Sequence, residues 1–211
     1  MRVKYSTMVV AATLAMSAGA AWAAGPVGYV GGGLGEARAL DLNSSACSQL
    51  NDFLDPGFSC SVDDSKTGFK VFGGAQFNDY LAAEASLVYL GNFEGSADGT
   101  ITVTNPTATY PTHLHFRNEA SGISGDMVGT LPITNEFFLL GRVGVFLWSV
   151  TDIFDDVTNG VSLDYGAGVE YDFTRNVGLR AEYVKYQDVG DSNTGKTDID
   201  FTSLSLIYRF R

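Results

Sequence analysis

Over most of the chain, apolar residues recur at every second position, the period of a strand with one apolar face. Thr67–Phe77 sets Phe69, Val71, Ala75 and Phe77 against Lys70, Gly74 and Gln76. Leu81, Ala83, Ala85, Leu87 and Tyr89 oppose Glu84 and Ser86, and Phe137, Leu139, Val143, Val145 and Leu147 oppose Arg142 and Gly144. The stretch from Leu163 to Phe173 alternates Leu163, Tyr165, Ala167, Val169, Tyr171 and Phe173 with Asp164, Gly166, Gly168, Glu170 and Asp172. Val177, Leu179, Ala181 and Tyr183 then oppose Gly178, Arg180 and Glu182, and Leu204, Leu206, Tyr208 and Phe210 oppose Ser203, Ser205 and Arg209. Weaker segments at Gly28–Gly35 and Ile123–Leu131 bring the strands to an even eight.

Strands with cores of about 9–11 residues are long enough to cross a bilayer when tilted. Their connections alternate in length. Asn78-Asp79, Thr134-Asn135 and Thr174-Arg175-Asn176 are tight turns, whereas the links near 37–65, 92–120, 152–160 and 188–198 are longer and polar. The pattern predicts an all-β fold, an eight-stranded antiparallel transmembrane β-barrel with short periplasmic turns and four longer extracellular loops. Alternation alone leaves open a water-soluble barrel with its apolar face inside. Here the second face is rich in Gly, Ser and Ala with a few charges of both signs, which suits a narrow lumen. Tyr29, Phe77, Tyr80, Phe137, Phe173, Tyr208 and Phe210 sit near the turn ends of strands, where an aromatic girdle is expected.

The first residues have the form of an export signal. Arg2 and Lys4 precede the short apolar run Met8–Met16, and Ala21-Trp22-Ala23 offers a small-x-small cleavage site. Residues 1–23 are thus expected to be a signal peptide and residues 24–211 the barrel domain. The formal charge of −11 argues against nucleic acid as a partner. In an exported chain the two cysteines, Cys47 and Cys60, are expected to form a disulfide that closes a short loop; their spacing does not suit a zinc site.

The stretches 67–93 (TGFKVFGGAQFNDYLAAEASLVYLGNF), 128–148 (VGTLPITNEFFLLGRVGVFLW), 165–186 (YGAGVEYDFTRNVGLRAEYVKY) and 204–210 (LSLIYRF) resemble the transmembrane domain of the outer membrane protein A (OmpA) family. The resemblance implies an outer-membrane location among lipids and lipopolysaccharide, and a monomer without cofactor. It also implies that Leu204, Leu206, Tyr208 and Phe210 form a carboxy-terminal signal read by the barrel-assembly machinery, although Arg211 follows the aromatic residue that usually ends the chain. The best-known family members carry a periplasmic peptidoglycan-binding domain after the barrel; the chain ends at Arg211, so that tethering role is not expected of it. The family's luminal charge network maps onto Glu84, Arg142, Glu170, Arg180 and Glu182, with Arg180 expected to bridge Glu84 and Glu170 and plug the lumen.

Other chemical signatures lack their context. Gly190–Thr197 (GDSNTGKT) matches the phosphate-loop pattern, but a period-two strand follows it instead of a helix. His113 and His115 share a strand face without an identifiable third metal ligand. Ser121, His115 and Glu119 are the residue types of a hydrolase but have no convergent spacing. Asp152, Asp155 and Asp156 do not follow a calcium-loop pattern. No metal site and no catalytic residues are therefore assigned. Three functions remain: a structural and surface-interaction barrel of the envelope, a narrow ion-permeable channel, and an outer-membrane lipid-modifying enzyme. The first is favoured and the last rests only on those isolated side chains.

Overall fold

The computed structural model describes residues 26–40, 59–104, 107–151, 157–190 and 196–210. The expected signal peptide, Cys47, the acidic triplet 152–156, residues 191–195 of the phosphate-loop match and Arg211 lie outside the described residues.

Nine strands follow one another: β1 (Val27–Ala39), β2 (Ser59–Val62), β3 (Ser65–Asn78), β4 (Leu81–Thr104), β5 (Thr107–Pro132), β6 (Phe137–Thr151), β7 (Val157–Asp172), β8 (Val177–Val189) and β9 (Thr197–Arg209). Eight of them form a ring. β1 pairs antiparallel with β3 and β9, and the sheet runs through β8, β7, β6 and β5 to a β4–β5 pairing that closes it. Closure pairs the main-chain donors and acceptors of every strand with a neighbour, as hydrocarbon requires.

Two of the three tight turns are built alike. The Thr134 hydroxyl accepts from the amides of Glu136 and Phe137, and the Thr174 hydroxyl accepts from those of Asn176 and Val177. In the third, Asn78 Oδ1 accepts from the Tyr80 amide at 2.8 Å. All three turns lie at the end of the barrel where β1 begins and β9 ends.

The residues expected to meet lipid point outward. Leu34, Val71, Leu87, Val143, Leu163 and Leu206 are among the exposed large apolar residues, and Phe77, Tyr80, Phe173, Tyr208 and Phe210 ring the turn end. Tyr29 corrects the expected girdle. It pairs in register with Gly74 and Arg209 and turns inward, because its hydroxyl donates to Glu84 Oε2 at 3.1 Å.

The second expected loop, near 92–120, is also corrected. β4 and β5 run on as one ladder to the pair Thr104↔Thr107, and the short β2 adds to β4 at Gly95–Asp98. β6 leaves β5 at Glu119↔Thr151, so the hairpin extends well beyond the barrel wall. Threonine and β-branched residues in 100–104 (TITVT) favour extension, and the cross-strand ladder satisfies their backbone. Ile101 and Val103 do alternate with Thr100, Thr102 and Thr104, but the run is short and set among Gly, Asp, Asn and Pro residues that read as a polar link.

Where the hairpin leaves the wall, a bulge between Tyr89 and Gly91 shifts the register. Inward positions are even-numbered before it, as at Ala82, Glu84 and Val88, and odd-numbered after it, as at Phe93 and Ala97. Gly91 takes φ 98°, and a Cβ there would lie 2.8 Å from Lys66 Cβ. Gly91→Val is expected to destabilise the barrel by about 1–3 kcal/mol. Gly141→Ala, where a Cβ meets nothing within 4 Å, is expected to leave stability unchanged; urea unfolding followed by tryptophan fluorescence compares the two.

Candidate functional site in the barrel lumen

An eight-stranded barrel is narrow enough for side chains to fill it. Alternation turns every second residue of each wall strand inward, and in the turn-side half many of these are charged. Six carboxylates (Glu84, Asp126, Asp164, Glu170, Asp172 and Glu182) and four cations (Lys70, Arg142, Arg180 and Arg209) are buried, none more than 9% exposed.

They form a chain of ion pairs across the lumen. At the turn end Arg209 contacts both Asp172 and Glu170. Arg180 then links β7 to β4, with Nε 2.8 Å from Glu170 Oε2 and Nη1 2.6 Å from Glu84 Oε2. Arg142, on β6, reaches Glu84 at 3.3 Å and Glu182 at 3.2 Å, and also pairs with Asp126. Lys70 pairs with Glu182. Ser124 donates to Asp126 at 2.5 Å and also lies 3.1 Å from Asp164. Counting Tyr29 on β1, all eight wall strands contribute a member.

Aromatic rings brace the cations. The Arg180 guanidinium lies 5.1 Å from the Phe72 ring centroid and 5.6 Å from that of Tyr29, and Lys70 Nζ lies 4.9 Å from Phe72. Glycines make room for these rings: a Cβ on Gly31 would collide with Phe72, and one on Gly74 would collide with Tyr29. A small apolar group, Phe72, Ala82, Val128, Leu140 and Ile207 with the Tyr29 ring, packs around the turn-side part of the network.

The five charges predicted from the family pattern, Glu84, Arg142, Glu170, Arg180 and Glu182, come together in this network. Lys70, Asp126, Asp164, Asp172 and Arg209 belong to it as well and were not assigned a role. Parity carried the signal, because each falls on the same face of its strand as a predicted member or opposite a lipid-facing residue.

The remaining candidates do not converge. Leu204, Leu206 and Tyr208 face outward on β9 and Phe210 follows them, its amide bonded to the Gly28 carbonyl at 2.9 Å. Cys60 stands on β2 opposite Ala97 and is not a free thiol, while Cys47 lies outside the described residues. His113 and Asp98 pair across the projecting hairpin at 2.5 Å, both exposed. His115, Glu119 and Ser121 are strung along one strand, and six residues of strand put His115 about 20 Å from Ser121. Thr197 of the phosphate-loop match opens β9, so a strand follows it and supplies no helix N-terminus. On the outer rim, Lys66 donates to Asp63 at 2.5 Å and holds that carboxyl below its ordinary pKa, with the Ser65 amide adding to the effect.

A closed antiparallel barrel with an apolar exterior and a charged interior defines an integral outer-membrane protein. The model of the OmpA-like transmembrane domain matches residues 26–211, and the chain belongs to that family. It is 27% identical over 157 residues to outer membrane protein A of Shigella flexneri, an alignment covering 70% of this chain and 41% of that protein. Against outer membrane protein A of Klebsiella aerogenes it is 27% identical over 188 residues, covering 86% and 48%. The chain thus spans about half or less of the length of these relatives. Two solved barrels share the fold, each with a TM-score of 0.50 and covering 88% of this chain and 99% of theirs. They are Ail of Yersinia pestis at 15% identity and the N-terminal barrel domain of Pseudomonas aeruginosa OprF at 13%.

Arg180→Ala leaves Glu84 without its closest partner and Glu170 with Arg209 as its remaining cation, and is expected to cost about 3–5 kcal/mol. Because the groups share one network, the Glu84→Ala/Arg180→Ala double variant is expected to lose less than the two single losses together, by about 0.5–3 kcal/mol. Urea unfolding of the four proteins measures the coupling, and strict additivity would contradict a shared network.

Proposed function

We propose that the protein is a structural scaffold of the outer membrane that holds surface-interaction loops above a closed lumen. The observation carrying this reading is the combination of a cross-lumen ion network from all eight wall strands with a β4–β5 hairpin that projects beyond the wall. The first rigidifies the barrel and obstructs it; the second offers a large surface on the outer side. Opposite charges that satisfy each other across a narrow bore leave an ion little reason to replace its hydration shell there.

Several finer assignments accompany the proposal. Residues 1–23 direct export and are removed. Cys47 pairs with Cys60 and ties the first loop to β2, which itself braces the projecting hairpin. The outward row Leu204, Leu206, Tyr208 and Phe210 is read during assembly, and the barrel functions as a monomer in contact with lipopolysaccharide. No chemical reaction is assigned to it. A narrow channel is the alternative, in which the arginines exchange carboxylate partners and open a path.

Purified barrel in planar bilayers is expected to show no discrete openings; reproducible openings would favour the channel. Replacing residues 93–118 by Asn-Gly, which joins the pair Asn92↔Glu119 through a two-residue turn, is expected to leave a folded barrel. Cells carrying that variant should lose adherence to bare or serum-coated glass while keeping wild-type resistance to detergent. If deletion of the whole gene changed neither adherence nor detergent resistance, the scaffold and surface role would be refuted.

A further inference from the structure

On β1, β8 and β9 the polarity of the barrel wall inverts along the axis while the in–out alternation runs on as far as Ala39, Tyr186 and Ile199. On β9, Leu204, Leu206 and Tyr208 face outward against inward Ser203, Ser205 and Arg209. Toward the loop end of the same strand, Asp198, Asp200 and Thr202 face outward and Ile199 and Phe201 inward, at 2% and 0% exposure. On β8, Glu182 and Arg180 point inward, but further toward the loops Val184 and Tyr186 do, while Lys185 reaches Asp198 on the outer surface at 3.2 Å. β1 follows suit, passing from outward Leu34 to outward Glu36 and Arg38 with Ala37 and Ala39 inside. Beyond these crossovers β1, β8 and β9 have a polar exterior and an apolar interior, while β6 and β7 keep Leu147 and Val161 outward.

The apolar interior is one cluster whose largest members come from opposite sides of the ring. The Phe146 ring, from β6, lies over Gly122 of β5, where a Cβ would be 2.5 Å from it, and meets the Tyr186 ring of β8 with centroids 4.3 Å apart. The Phe201 ring, from β9, lies across both β1 and β3, 2.9 Å from where a Cβ on Gly35 or on Gly68 would sit. Leu90 of β4 is fully buried among them. Trp148 donates to Ser162 at 2.9 Å, and Ser162 donates to the Asp188 carbonyl at 3.2 Å, which ties β6, β7 and β8 together at this level.

We infer that Phe146, Tyr186 and Phe201, with Leu90, form an apolar plug at the loop end of the lumen that blocks ions even when the charge network, which it adjoins where Tyr186 pairs with Asp164, is broken. An apolar constriction excludes an ion because it offers nothing to replace the hydration shell. Glycines on the neighbouring strands make room for the rings, and the Phe146–Tyr186 contact joins β6 to β8 across the intervening β7. Breaking the ion pairs therefore opens only the turn-side half. The inference deepens the closed-scaffold reading and rests on it.

The test uses the full-length protein purified from the outer membrane, with folding checked by its shifted migration in unheated detergent gels. In planar bilayers, wild type and Arg180→Ala are both expected to be silent, whereas Arg180→Ala/Phe146→Ala/Phe201→Ala gives discrete openings. Ser203→Cys, just beneath Phe201, supplies a readout that does not require the triple variant to fold. In the Arg180→Ala background a charged thiol reagent added from the loop side is expected to modify it at least about tenfold more slowly than Lys196→Cys at the exposed position just before the same strand. Openings from Arg180→Ala alone, or equal modification rates at the two cysteines, would overturn the plug and leave the scaffold standing. Openings from wild type would instead overturn the closed-scaffold reading on which the plug depends.

Discussion

Backbone pairing in hydrocarbon is the constraint on which the rest of this structure depends. A sheet edge inside a bilayer would strand a row of amides and carbonyls, so the first and last strands must pair edge to edge and close a ring. A ring of eight is narrow, and its interior must then be filled by the side chains of its own wall. The mixture on the inner face follows from that need. Glycine on one strand gives the space that a large side chain from another strand occupies, as Gly31 does for Phe72, Gly122 for Phe146 and both Gly35 and Gly68 for Phe201.

Charges inside such a ring are stable only in company. Four cations and six carboxylates share the turn-side half of the lumen, and each arginine contacts more than one acid. Such sharing ties strands that are far apart in the ring to one another. Glu84 of β4 touches Tyr29 of β1, Arg142 of β6 and Arg180 of β8. The network thus links opposite walls, while the hydrogen-bonded ladders link only neighbours.

The change of polarity along the barrel separates two environments. In the membrane belt the outside is apolar and the inside charged; beyond it, on β1, β8 and β9, the outside is charged and the inside apolar, the arrangement of a barrel standing in water. The β4–β5 hairpin, braced by β2, continues outward from that second zone. A rigid wall below and a long paired hairpin above suit a protein whose contacts are made on the outside.

The fold was largely legible in the chain, because a strand between lipid and lumen needs contrasting faces and two-residue alternation records that contrast directly. Family membership was legible for the same reason, through the stretches around Glu84, Arg142 and Glu170–Glu182. Alternation also put Lys70, Asp164, Asp172 and Arg209 on inner faces, but which charge touches which depends on ring closure and stagger, to which no single strand testifies. Tyr29 was misplaced because an aromatic residue at a strand end suits a girdle equally well, and only the register opposite Gly74 and Arg209 turns it toward Glu84. The long hairpin was hidden because its alternation, Ile101 and Val103 among threonines, is short and lies among Gly, Asp, Asn and Pro residues that read as a polar link. The apolar inner cluster was hidden where strands such as 145–150 (VFLWSV) are apolar on both sides. Local periodicity was enough for the eight wall strands, most of the lipid-facing residues and the family, whereas β2 left no such record. Tertiary structure alone decided the ion-pair partners, the inward turn of Tyr29 and the convergence of Phe146, Tyr186 and Phe201, because each joins residues brought together only when the ring closes.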